Sequence, residues 1–420
     1  MPDCERLRRM PPDVEEILKR LRAAGYAGYL VGGCVRDALM GREPKDWDIC
    51  TSATPEESRS VFSEFQQNLA GMKHGTVSVI MHHEMYEITT FRTESGYSDH
   101  RHPDSVKFVR QLRDDLSRRD FTINAMAYSP EEGVVDLFGG CADLQDKVVR
   151  CVGCPSDRFG EDALRMFRAL RFASVLDFAI DGDTAAAVHA QIGEAADVAM
   201  ERLRTEWFKL LEGRGRIRVL QAFPEAAFLL MPELQAQEER FAQALRVMAR
   251  VPASAEMQMS ALLSVMLPEG DEAEAENIMR RLKCSNREVE TVSVLTGTRI
   301  MDFAPVRSIV HRRWIELGSE QLRSALLLRA AAGEEHAEDC HACMALLDVL
   351  EAEGACRTLK DLKVTGGDLL KLGIPAKEIG TCLQRLLLDV ADGLVENRHE
   401  ELVERVMQRK EGGSLGWGRE

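Results

Sequence analysis

The sequence predicts an α+β protein: a head covering roughly the first 150 residues, where strands and helices mix, followed by an all-helical remainder. Three observations carry this. Short apolar runs such as "YLV", "TVSVIM" and "YEITTFR" alternate with helical stretches early in the chain. From Gly160 onward, segments rich in Ala, Leu, Glu and Arg recur at helical spacing with few strand runs. Glycines, prolines and helix-start signals fall between the periodic segments of the head.

The elements follow in order. Val14, Ile17, Leu18 and Leu21 recur at i, i+3, i+4 and i+7, which is one face of a helix, and Gly25 offers its stop. "YLV" (29–31) reads as a buried strand, Gly32 and Gly33 as a turn, and "VRDALMG" as a short helix. "KDWDICT" (45–51) reads as a strand that projects Asp46 and Asp48 together while Trp47 and Ile49 face the opposite layer. Thr54, Pro55 and Glu57 supply the N-cap, the first helical position and the reciprocal acid of a capping box. "TVSVIM" (76–81) and "YEITTFR" (86–92) read as strands, with "MHHE" (81–84) as a turn between them. The polar "RTESGYSDHRHPDS" (92–105) reads as a mobile loop, and "EGGSLGWGRE" (411–420) as a disordered tail. No internal repeat is present in the sequence.

Composition bounds the function. A chain of 420 residues has room for two or more domains. With 54 basic against 69 acidic residues, a net charge of −15 and a pI near 5.3, no global cationic field draws in nucleic acid, so local patches must meet any polyanion; DNA is not an expected partner. Eleven cysteines without a repeating framework, and a start lacking an apolar core, read as a reduced cytoplasmic protein. No run approaches the roughly 18 apolar residues of a membrane span, so the chain reads as soluble.

Asp46 and Asp48, side by side on one face, repel unless a cation sits between them, and hard oxygen ligands at this spacing suit Mg²⁺ with phosphate oxygens completing its shell. An ordinary solvated strand is the plainer reading of D-x-D alone. Upstream, however, "LVGGCVRD" gives strand, two glycines and a helix carrying Arg36, where backbone N–H groups can approach a triphosphate at the positive end of the helix. A phosphate cradle beside a metal site is what nucleotidyl transfer requires. A third carboxylate should then come from a neighbouring strand; Glu87 is the candidate, an exposed strand glutamate the alternative.

"LVGGCVRDALMGREPKDWDICTSATPEE", "GMKHGTVSV", "RRDFTINAMAY", "DLFGGCADLQDKVVR" and "GEDALRMFRALRFA" resemble the successive motifs of class II tRNA nucleotidyltransferases, the bacterial CCA-adding type of the tRNA nucleotidyltransferase/poly(A) polymerase family. The match is continuous over residues 29 to about 178 and weaker through "ERLRTEWFKLL" and "VTGGDLLKLGIPAKEIGTCLQRLLLDVADG". The resemblance implies a polymerase-β-like head with a mixed sheet at residues 1–150, a helical neck at 151–215, a body at 216–355 and a tail at 356–420, with tRNA along their length. It implies template-independent addition of C, C and A to the tRNA 3′ end from CTP and ATP, with Mg²⁺ held by Asp46 and Asp48. Gly32, Gly33, Arg36 and Arg119, and from "EDALRMFRALRF" Asp162, Arg165, Arg168 and Arg171, would serve the nucleotide.

The residues themselves suggest how bases are chosen. Ala163, Met166, Phe167 and Leu170 form an apolar stripe that pins one helix face to the core, and Asp162 and Arg165, three apart, are neighbours on the rest. A carboxylate accepts from the amino group of cytosine or adenine and a guanidinium donates to the adjacent ring acceptor; uracil and guanine reverse both. Arg168 and Arg171 rotate away around the helix, towards phosphate or tRNA. A surface ion pair is the plain alternative.

Other clusters read more plainly. His336, Cys340 and Cys343 share a helix face but make three zinc ligands at best, so a structural role is expected. No histidine precedes an aspartate, so the phosphohydrolase doublet of some relatives is absent. Residues 280–329 hold ten Arg and Lys against five acids, either a phosphate-neutralising surface or a solvated helical face. Poly(A) polymerase, a partial CC- or A-adding enzyme, and a degenerate RNA-binding module remain as competing readings.

Overall fold

The computed structural model describes residues 5–95, 105–235 and 237–411, and the chain divides into two compact units, Met1–Gln235 and Ala236–Glu420. The helix Pro12–Ala23 buries Val14, Ile17, Leu18 and Leu21, the four residues its periodicity selects, and ends before Gly25, whose φ of 86° favours glycine. The first unit is built on strands β1 (Gly28–Val31), β2 (Ile49–Thr51), β3 (Gln66–Asn68), β4 (Thr76–Met81), β5 (Glu84–Thr90), β6 (Arg92–Ser95), β7 (Ser105–Phe108), β8 (Met126–Ser129), β9 (Gly133–Asp136), β10 (Val148–Val149) and β11 (Ala179–Ile180). Seven of these form one sheet in the order β3-β4-β5-β2-β1-β8-β9; β2 and β5 are parallel and the other neighbours antiparallel. It is the mixed sheet expected of the head.

Strand alternation gives the sheet two cores. Leu30, Ile49, Val77, Val79 and Ile88 pack on one side with the Pro12–Ala23 helix and the helix Gly33–Leu39, while Tyr29, Val31, Cys50 and Ala127 pack on the other with Phe91 and Leu116. Trp47 joins the first core, as its phase predicts. Thr54 and Glu57 form the expected capping box of the helix Pro55–Val61.

Three local expectations are corrected. Asp46 and Asp48 precede β2 rather than lying in it, although the Asp48 carbonyl still accepts the Val31 amide at 3.0 Å, so the extended alternation persists. "YEITTFR" is not one strand: the chain leaves the sheet at the buried Phe91. The flanks of the expected loop pair instead as an antiparallel ribbon, Arg92 opposite Phe108 and Ser95 opposite Ser105, with residues 96–104 outside the described residues. His82 and His83 do form the predicted turn, both at positive φ, because Met81 pairs directly with Glu84. The predicted tail falls almost wholly outside the described residues.

Beyond residue 160 the described chain is helical apart from β11, which pairs in parallel with β10. In the second unit one core centres on Leu322, Leu326, Cys340, Cys343, Leu347 and Leu350 and another on Leu369, Cys382, Leu386, Leu402 and Val406. Cys340 and Cys343 are core residues, the Cys343 thiol bonding to the Phe303 carbonyl. The basic excess of residues 280–329 is partly neutralised from outside that window: Arg280 pairs with Glu276, Arg307 with Glu353, Arg312 with Asp392, and Arg323 with Asp348 and Glu351. No described helix is long and apolar enough to cross a membrane.

Candidate active site

The parallel register of β2 and β5 sets Ile49 opposite Ile88. One residue back, Asp48 therefore stands beside Glu87. Both isoleucines lie in the first core, so alternation turns Asp48 and Glu87 to the other face, with Asp46 two residues behind. Asp48 is exposed, but desolvation by the surrounding protein raises its carboxyl pKa; Arg119 opposes this, and the negative charges of Glu87 and Asp46 push it further up. Carboxylates so placed repel one another; among the described residues no three His, Cys, Asp or Glu are gathered to hold a metal, but a hard cation that completes its coordination with phosphate and water needs only one or two of them.

Gly32 ends β1 at φ 79°, ψ −126°, a conformation that needs glycine. A Cβ there would lie 3.1 Å from Nη1 of Arg119, so the glycine makes room for that guanidinium. Arg119 is held through Nη2 by Asp115 at 3.1 Å, and its buried Nε has no hydrogen-bond partner among the described residues. Asp115, fully buried, also takes Arg118; burial raises its carboxyl, but the two arginines bring it below the usual carboxylate range. Arg36, on the helix that Gly33 opens, donates to Asp37 at 2.9 Å and to Asn124 Oδ1 at 2.6 Å. Of these groups Gly33, Arg36, Asp46 and Asp48 line a cleft of about 690 Å³, with Arg171 and Phe172 from a later helix; Gly32, Glu87 and Arg119 are not among its lining residues.

The predicted base-reading pair is arranged differently from expectation. The helix Pro155–Glu161 stops at Asp162, which is extended (φ −146°, ψ 102°), and a new helix runs Leu164–Leu176. Aspartate suits this break because its side chain can cap: Oδ1 accepts the Leu164 amide at 3.1 Å and Oδ2 accepts Arg202 at 3.0 Å. Arg165 donates to Glu161 at 2.5 Å and to the carbonyls of Arg158 and Arg118 at 3.2 and 3.4 Å. The two are joined through the Arg165 amide and Asp162 carbonyl at 2.9 Å, and neither lines the carboxylate cleft. Ala163, Met166, Phe167 and Leu170 are fully buried, as the stripe predicts.

Arg168 and Arg171 are engaged within the protein. Arg168 donates to Asp120 through Nε at 2.9 Å, and Arg171 pairs with Glu206 on the helix Met200–Glu212. Burial would raise the Asp120 carboxyl, but Arg168, Asn124 and the Phe121 amide hold it down at about 2. Asp120 also accepts from Asn124, which in turn accepts from Arg36, so one chain of hydrogen bonds runs from the glycine-turn helix to the Leu164–Leu176 helix.

The sequence model of the Poly A polymerase head domain matches residues 28–150, a probable RNA and SrmB binding site of polymerase A matches 177–235, and tRNA nucleotidyltransferase domain 2 matches 252–406. A head shared with poly(A) polymerases leaves the activity open. The CCA-adding enzyme of Lactiplantibacillus plantarum is 37% identical over 395 residues, 92% of this chain and 94% of that one, and that of Enterococcus faecalis is 36% identical over 94% and 96%. The chain belongs to the CCA-adding enzyme family. The solved CCA-adding enzyme of Bacillus stearothermophilus in complex with CTP superposes with a TM-score of 0.77 at 31% identity, covering 96% of this chain and all of that one. The Thermotoga maritima CCA-adding enzyme complexed with tRNA shares the fold at a TM-score of 0.61 and 22% identity.

Four residues of this CCA-adding enzyme family member escaped the sequence reading: Asp120, Asn124, Phe172 and Glu206. Phe172 packs edge-on against Phe121, and three guanidinium carbons lie over its ring, those of Arg36 at 5.1 Å, Arg168 at 5.5 Å and Arg171 at 3.9 Å. The available signal was an acid directly after Arg119 at the head of the largely apolar "FTINAMAY" and a phenylalanine directly after Arg171. Their partners lie 48 and 136 residues away, which no local pattern reveals.

Proposed function

We propose that the chain adds C, C and A in turn to the 3′ end of tRNA, without a nucleic-acid template, from CTP and ATP with release of pyrophosphate. The observation that carries the reading is the juxtaposition of Asp46, Asp48 and Glu87 beside the Gly32–Arg119 turn, in a chain with full-length CCA-adding relatives. On this reading Asp46 and Asp48 hold Mg²⁺ and Glu87 supplies the third carboxylate. Bound there, the ion offsets the charge of the attacking and leaving oxygens. Gly32 and Gly33 let the triphosphate approach the backbone, Arg36 donates to its oxygens from the cleft wall, and the Arg119 guanidinium behind Gly32 adds positive charge. Asp162 and Arg165 exchange their protein partners, Arg202 and Glu161, for the base, while Arg168 and Arg171 hold the helix that carries them.

The organisation proposed is a head at 1–150, a neck at 151–215, and a body and tail at 216–355 and 356–420 that bind tRNA. A reducing, cytoplasmic location fits the ten described cysteines, all free thiols. Purified protein, Mg²⁺ and tRNA lacking its 3′ CCA test the reading by product length. CTP alone should add two nucleotides, CTP with ATP three, and ATP alone none. A long ladder with ATP alone would mark a poly(A) polymerase, arrest at two a CC-adding enzyme, and no extension a non-catalytic RNA-binding module.

A further inference from the structure

Most described arginines of the first unit are matched to a carboxylate, Arg6 to Glu43, Arg110 to Glu57, Arg150 to Asp143 and Arg218 to Asp177 among them. The mouth of the carboxylate cleft differs. Arg42 and Lys45, on the segment leading into Asp46, and Lys209 and Arg214, at the end of the helix Met200–Glu212 and just beyond it, all line the cleft and are exposed. Among the described residues, no side-chain hydrogen bond or ion pair joins any of the four to a carboxylate.

Resting on the function proposed above, we infer that these four side chains form a two-sided clamp for the backbone phosphates of the RNA strand whose 3′ end is extended. The chain carries a net charge of −15, and the same cleft presents Glu43, Asp46, Asp48 and Glu212. A polyanion entering there is repelled unless cations at the entrance offset its charge. The four stand on two separate segments, residues 42–45 and 209–214, so the ligand must reach both. A strand with a phosphate at every nucleotide does so. An incoming nucleoside triphosphate, whose phosphates gather at the carboxylates and the Gly32–Arg119 turn, engages only one side. Lysine and arginine that lack a protein partner serve such contacts without a base-reading geometry, so the clamp is indifferent to sequence.

The test uses the full chain with Arg42→Gln/Lys45→Gln and Lys209→Gln/Arg214→Gln as two double variants of exposed residues. The ligand is an acceptor-stem hairpin ending before CCA, which excludes contacts to the rest of tRNA. Its dissociation constant is measured against salt without nucleotide, and then KM is measured separately for the hairpin and for CTP. Each double variant should lower the slope of log K against log salt by about 1.4 to 1.8, from roughly 0.7 to 0.9 per phosphate contact. Hairpin affinity at low salt should fall about tenfold or more, with the loss appearing in the KM for hairpin and not in that for CTP. An unchanged slope in either double variant overturns the clamp. So does a rise in the KM for CTP at saturating hairpin, which would assign the cations to the triphosphate. Failure of the unmodified chain to extend the hairpin would instead refute the function on which the clamp rests.

Discussion

Replacing Asp120 by asparagine preserves shape and removes one charge from a buried network. The carboxylate accepts from Arg168, Asn124 and the Phe121 amide and is 9% exposed. Its pKa of about 2 lies well below its ordinary value of 3.8. That gap corresponds to about 2.5 kcal/mol of stability contributed by the charged form. Asparagine can still accept from Phe121 and Asn124, but must then turn its NH₂ towards Arg168. Arg168 keeps Glu206 at 3.9 Å and the Phe172 ring, so the loss should stay below the roughly 3–5 kcal/mol of a fully stranded buried charge. The expected destabilisation at pH 7 is about 2–3 kcal/mol, read as a drop of about 1 M in the urea midpoint of residues 1–235, followed by hydrogen exchange in that unit. Because the folded pKa is depressed, the advantage of the aspartate is present above about pH 3.8 and is lost as pH falls towards 2. A loss under about 0.5 kcal/mol at pH 7, or one that persists undiminished at pH 2, refutes the reasoning.

Asp46→Asn and Asp48→Asn should each reduce nucleotide transfer by several decades while tRNA binding and fold are kept; for Asp48→Asn the melting temperature should hold or rise, since desolvation and two neighbouring acids oppose its charge. Near-normal turnover in Mg²⁺ by either variant would remove the pair from the chemistry. Asp162→Ala should lower the preference for CTP over UTP, measured as a ratio of kcat/KM, by about one to two decades, from roughly 1.5–3 kcal/mol for a hydrogen bond to a charged group; equal slowing of both nucleotides would place base selection elsewhere. Gly32→Ala forces a side chain into a positive φ and to 3.1 Å from Arg119, so it should cost about 1–2 kcal/mol in stability and raise the KM for CTP; unchanged values of both would show that the turn adapts.

What was legible in the sequence was local. The face of the Pro12–Ala23 helix, the Thr54 capping box, the His82–His83 turn and the phase of Asp46, Trp47 and Asp48 all follow from side-chain period or turn chemistry. Glu87 could be nominated only by assuming that its strand neighbours that of Asp48; the β2–β5 register gives the strands that adjacency. The break at Asp162 was hidden because "EDALRMF" has unbroken helical period, and only the capping bond to Leu164 distinguishes a second helix start from a helix interior. The partners of Arg36, Arg168 and Arg171 were hidden for another reason: packing across distant segments decides them. The carboxylates that pair with Arg280, Arg307 and Arg312 of the basic stretch at 280–329 lie outside it, so its local charge balance was not legible from the window alone.

The three guanidiniums over Phe172 make a forecast about substitution tolerance. A lysine at 36, 168 or 171 would keep the charge but lose the flat surface that stacks on the ring and the second donor that Arg36 uses to bridge Asp37 and Asn124. In a saturation library selected for tRNA repair, charge-preserving replacements at these positions should therefore be depleted nearly as strongly as alanine. Lysine should pass freely for arginine at surface pairs such as Arg9 with Glu5. With Phe172→Leu in place, lysine should be tolerated clearly better than alanine at the three positions, because the shared ring is what ties their fates together.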